Sequence, residues 1–176
     1  MQREEIIKLA NKIFKKFNTV DPFKIASAID CKVIYRDMPK KIRGYTLKNF
    51  RINIIYLNEN LDDNELRNTL LHELGHIFCK HDENRIFTSL KTRFVTAKLE
   101  NEADLFSVAM LLNTLDKEDL EKFTSKQLSY KLGIEESKLD LYFFNKKRTL
   151  VVSWRWADEK ITIDSYPNPF ITSRLQ

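Results

Sequence analysis

Residues 61–79 read LDDNELRNTLLHELGHIFC, and the reading of this stretch decides the fold. Its apolar residues recur at helical spacing, and Asp62, Asp63 and Glu65 suit the positive end of a helix dipole, so the stretch predicts a helix with HELGH, residues 72–76, inside it. Each residue of a helix turns the chain by roughly 100°, which puts His72 and His76 about 40° apart on one face, one turn above the other. Two imidazoles so placed are able to share one metal ion, and zinc favours such nitrogen ligands. Glu73 is displaced around the helix from His72, so its carboxylate reaches an attacking water without taking a place on the metal, which makes it the candidate general base. Leu70, Leu71, Leu74, Ile77 and Phe78 form the apolar side that anchors this platform in a core. Gly75 costs the helix roughly 1 kcal/mol against alanine. A close approach by another backbone is the expected reason for it.

The four-position pattern also arises by chance on ordinary amphipathic helices, so it needs a third ligand. The candidate segment is LENEADLFSVAMLL, residues 99–112, on a helix of its own. Glu100 and Asp104 share a face there, whereas Glu102 points about 200° away from Glu100, so both glutamates do not face one metal. Glu100 is expected to border the core beside Leu99, Ala103, Phe106 and Met110, where a carboxylate needs a charge partner or a metal, and Glu102 is expected on the exposed flank. Glu100 is therefore the expected third ligand. Asp104 is placed to accept the free ring N–H of a ligand histidine, the alternative being an ordinary charge near a helix start.

The rest of the chain gives this site a setting. Its 176 residues, 43% hydrophobic, suit one domain with a small appendage. Three glycines, four prolines and no repeat leave no evident linker. No apolar run is long enough to cross a bilayer and the N-terminus does not read as a signal peptide, so a cytoplasmic protein is expected. Cys31 and Cys79 make no CxxC pair and read as reduced thiols. The net charge of +5 is spread along the chain, which reads as a solvated surface before it reads as a nucleic-acid footprint. Residues 3–17 predict an amphipathic helix. Asp21 and Pro22 open a short second one, and KVIYRDM, RGYTLKN and RINIIYLN predict a small antiparallel sheet. Thr124 and Gln127 form the signature of a capping box, opening a pair of helices around Gly133, and residues 149–176 predict a terminal hairpin or tail of unknown role beyond a domain spanning 1–148.

HELGH followed by Glu100, Ala103, Asp104 and Phe106 ahead of a Leu-Leu pair resembles the ImmA/IrrE family of HExxH metallopeptidases, and the order of elements from about residue 5 to residue 145 is similar too. The resemblance implies an α+β, mostly helical, zincin-like domain, with Zn²⁺ held by His72, His76 and Glu100, Glu73 as base and Asp104 supporting a ligand. It further implies an anti-repressor of a prophage or integrative element that cleaves the element's helix-turn-helix repressor. Relatives carry a proline soon after the Leu-Leu pair, where this chain has LLNT, and a histidine four residues after the motif. Here that position is Lys80, followed by His81. His81 reads as a solvent-exposed helix-end residue, the alternative being a hydrogen-bond donor to the transition state. The strand RINIIYLN is the expected edge for an extended substrate.

Two other classes of function compete. The helical pair over 124–148 resembles a DNA-binding helix-turn-helix, but its second helix, EESKLDLYFF, is acidic where it would approach phosphate and apolar where it would face solvent. Direct nucleic-acid binding is accordingly not expected. A non-catalytic module that only sequesters a repressor has no need of Glu73.

Overall fold

A computed structural model describes residues 1–81 and 93–143, and Met1–Tyr142 pack as one compact unit. The hairpin expected over 149–176 lies outside the described residues. The elements run α1 (Arg3–Phe17), α2 (Pro22–Ala28), β1 (Lys32–Arg36), β2 (Gly44–Asn49), β3 (Ile52–Asn58), α3 (Asp63–Phe78), α4 (Arg93–Leu112), α5 (Lys117–Lys122) and α6 (Ser125–Leu132), and residues 136–142 are again helical. The domain is α+β and mostly helical, as the patterning predicts. α5 has no apolar period to announce it and carries a Lys122–Glu118 ion pair one turn apart.

Local chemistry explains the helix starts. The Asp21 side chain accepts from the Phe23 N–H with Pro22 in the first turn. Asp62 and Glu65 form a reciprocal capping box at the start of α3, and Thr124 and Gln127 do the same for α6. Gly133 ends α6 at φ 64°, in the left-handed region that favours glycine.

The sheet differs from the expected antiparallel one. Its order is β1-β3-β2, with β2 antiparallel and β1 parallel to β3. Alternation reports which side chains are buried, not strand direction, and the stretch 37–43 lets the chain reverse before β2. Asn58, buried at the end of β3, secures that stretch by donating its amide to the carbonyls of Met38 at 3.0 Å and Ile42 at 2.9 Å. β3 is thereby the central strand, so RINIIYLN has no open edge to offer a peptide. Among the described residues the edges of this sheet are β1 and β2.

α3 lies between the sheet and α4. Leu70, Leu71 and Leu74 are buried with Ile6, Ile25, Ile55, Leu57, Phe106 and Met110, while Ile77 and Phe78 are half-buried against them. Gly75 meets α4 closely enough that a Cβ there would lie 2.9 Å from the Ala103 carbonyl oxygen and 3.1 Å from its Cα. The opposing atoms are backbone and have nowhere to go. The last helical pair is packed as well: Leu128 and Leu139 are buried, Leu141 and Tyr142 lie against this core, and the Asn68 amide donates to the Gly133 carbonyl at 2.7 Å. A helix that spends its apolar face in this way is not presenting it to DNA.

Gly75→Ala is expected to destabilise the domain by up to about 2 kcal/mol in guanidinium unfolding, because an overpacking cost of about 1–3 kcal/mol outweighs the roughly 1 kcal/mol that alanine adds to helix propensity. A stabilised variant would show that α3 and α4 are free to part.

Candidate metal centre

The helices bring three donors together. His72 and His76 from α3 and Glu100 from α4 place their ligand atoms within 4.8 Å of one another. The two Nε2 atoms are 3.0 Å apart, and Glu100 Oε2 is 3.2 Å from that of His72 and 3.8 Å from that of His76. Ligands about 2.0–2.2 Å from a tetrahedral ion sit roughly 3.4 Å from each other, so the observed spacings bracket what a metal requires. The donor set, two imidazoles and a carboxylate, also matches a catalytic metal site with one position open.

Around these donors the chain supplies fixed partners. His72 Nδ1–H donates to Asp104 Oδ1 at 2.7 Å, and Lys138 Nζ lies 2.9 Å from the same oxygen, so the helix over 136–142 reaches the site. Burial disfavours charge on His72, but the hydrogen bonds to Asp104 and Glu100 and the nearby Glu73 charge outweigh it, pushing its pKa up to about 9. Burial likewise opposes the Asp104 charge, and the His72 ring and Lys138 more than offset it, holding that carboxyl below its ordinary range.

Glu73 is almost fully buried, 3% exposed, and Thr46 of β2 donates to its Oε2 at 2.7 Å. Thr46 carries no motif, and its role depends on β2 lying beside α3. Only the fold brings it to Glu73.

Three expectations need adjusting. Glu100 is the glutamate that meets the histidines, yet it is the exposed one, with 42% of its side chain accessible, while Glu102 is 7% exposed. α4 is covered on two sides, by α3 and by the start of α1, and Glu102 sits on the second covered side, beside Met1 and His81. His81 is not a solvent-exposed residue either: its side chain is 6% exposed, between His76 and Glu102. The cause is a Schellman turn ending α3. Lys80 adopts φ 55°, its N–H bonds the Ile77 carbonyl at 3.1 Å, and the His81 N–H returns to the His76 carbonyl at 3.0 Å.

A helical domain with an HExxH helix, a glutamate on the next helix and a buried carboxylate between sheet and metal donors has the make-up of a metallopeptidase. Residues 26–148 match the model of peptidase family M78, the IrrE N-terminal-like domain, and the chain belongs to that metallopeptidase family. It is also 34% identical over 108 residues to "Uncharacterized immunity region protein 2" of Bacillus phage phi105, an alignment covering 61% of this chain and 68% of the phage protein. Among the described residues no helix is long and apolar enough to cross a membrane.

Metal affinity should rise with pH by up to about tenfold per unit until roughly pH 9, because below that value His72 must lose a proton before it ligates. Metal titrations in buffers of different ionisation enthalpy read that proton directly. Asp104→Asn removes the charge that holds the proton, so the proton-release curve should move to lower pH while affinity falls by about 10–100-fold. An unmoved curve would detach Asp104 from His72.

Proposed function

We infer that the protein is a zinc-dependent endopeptidase whose substrate is a single protein partner, a helix-turn-helix repressor of a prophage or integrative element. The observation that carries the catalytic part is a buried Glu73, held by Thr46, on the same helix as two of three converging metal donors. The likeness to a phage immunity-region protein supports the choice of partner.

His72, His76 and Glu100 would hold the ion, and the imidazole-rich set suits zinc. When bound, zinc supplies positive charge that polarises a peptide carbonyl and makes water more acidic. The Glu73 carboxylate takes a proton from the attacking water as the carbon–oxygen bond forms. It then gives that proton to the departing amide nitrogen as the carbon–nitrogen bond breaks. Thr46 fixes Oε2 so that the base does not turn away, and burial excludes bulk water that would compete for it. Asp104, steadied by Lys138, orients His72.

The substrate strand is best accommodated by β2, the strand that carries Thr46 to the base and has β3 as its neighbour on one side. N-methylating the substrate amides around the scissile bond should then raise KM sharply, and unchanged cleavage would remove strand addition from the account.

The deciding experiment is co-expression with the helix-turn-helix repressor encoded nearest the gene. One specific cut is expected. Glu73→Gln should keep metal and lower cleavage by about 10²–10⁴-fold. If relief of repression survives that change, the protein acts by sequestration. Thr46→Val should lower kcat by about tenfold with little change in KM, the loss of one hydrogen bond to a charged group.

A further inference from the structure

His72 has its second ring nitrogen held by Asp104, and His76 has a counterpart on the opposite side of the site. His76 Nδ1 lies 2.8 Å from His81 Nδ1, and His81 Nε2 lies 2.9 Å from Glu102 Oε2. The rings of His76 and His81 meet edge to face, with centroids 5.0 Å apart. His76, His81 and Glu102 are all nearly inaccessible, with side chains 3%, 6% and 7% exposed. A buried run of polar groups this complete is costly unless every member is satisfied.

The chemistry of the last member sets the polarity of the whole run. A carboxylate only accepts, so His81 Nε2 carries a hydrogen and donates it to Glu102. Neutral His81 then has a lone pair on Nδ1, and the hydrogen between the two Nδ1 atoms belongs to His76. Neutral His76 in turn has its lone pair on Nε2, the atom that faces His72 Nε2 at 3.0 Å and Glu100 Oε2 at 3.8 Å. The reverse polarity needs a cationic His81 and puts a hydrogen on His76 Nε2, where it would block ligation. The Met1 amine lies 2.6 Å from Glu102 Oε1, an ion pair in keeping with an accepting carboxylate.

We propose that His81 and Glu102 are positioning residues for the metal ligand His76, a buried Glu102–His81–His76 run that fixes its hydrogen on Nδ1 and leaves the Nε2 lone pair for the metal. Neither residue is itself a ligand: both ring nitrogens of His81 are engaged, and the one nearest the site meets the far nitrogen of His76. The Schellman turn supplies the placement, because it brings residue 81 back beneath residue 76, where this motif commonly seats an apolar contact. Here two imidazoles fill that place. The inference rests on His72, His76 and Glu100 being the metal site.

The test uses the full chain and measures Zn²⁺ affinity by competition with a chromophoric chelator. His81→Phe keeps a ring of similar size but accepts nothing, and should bind about 10–100-fold more weakly. His81→Gln offers a carbonyl to His76 and an amide N–H to Glu102, and should restore most of that loss. A Phe variant that binds like the parent, or a Gln variant as weak as Phe, overturns the proposal. Should His81→Phe fail to fold, ¹⁵N NMR of the zinc-loaded parent decides: hydrogen on His81 Nε2 and none on Nδ1 supports the run, and hydrogen on His81 Nδ1 overturns it. A parent that binds no zinc removes the metal site and this proposal together, whereas a parent that binds zinc beside an unaffected Phe variant removes only the proposal.

Discussion

The contact on which the site depends is the near touch of two backbones, Gly75 of α3 against Ala103 of α4. Helix axes usually stay 8–10 Å apart because side chains intervene. Removing one Cβ between His72 and His76, opposite a residue lying between Glu100 and Asp104, brings the second helix close enough for its carboxylates to reach the histidines. Glu100 arrives from the N-terminal side of the contact and Asp104 from the C-terminal side. A donor set drawn from two helices is only as well defined as the distance between them.

Around that contact, His72 and His76 are each engaged at the nitrogen that does not face the site. Asp104 accepts from His72, and His81 closes on His76. Carboxylates stand behind both, with Lys138 against one and the Met1 amine against the other. The negative charge near His72 is strong enough to hold a proton on it to about pH 9, so the same field that retains a proton also draws a divalent cation. Glu73 is tied to the sheet through Thr46, and its charge also bears on His72. The candidate metal donors sit on two packed helices, and Glu73 is held in addition by the sheet.

Much of this was legible in the chain. The helical period of 61–79, the capping residues Asp21 and Thr124, and the face shared by Glu100 and Asp104 are local facts, set by roughly 100° per residue and by side chains a few positions apart. The pattern also singled out Gly75 as a point of close approach. What it misjudged was exposure. Glu100 was expected at the core border and Glu102 in solvent, because one helix was credited with one buried side, whereas α4 is covered by both α3 and α1.

By itself the sequence determined most of the elements, α5 excepted, the acidic start of α3, and which residue types stand at metal-ligand spacing, because these follow from short-range backbone geometry and patterning. The tertiary structure alone decided that β3 is central and β1 parallel to it, that Thr46 meets Glu73, and that His81 and Glu102 lie buried behind His76. Strand order depends on where a connection crosses. The place of His81 depends on a left-handed Lys80, a conformation that usually calls for glycine and that nothing in the neighbouring residues announces. Contacts between residues 27 or 21 positions apart, such as Thr46 with Glu73 and His81 with Glu102, are set by packing and are invisible to any local reading.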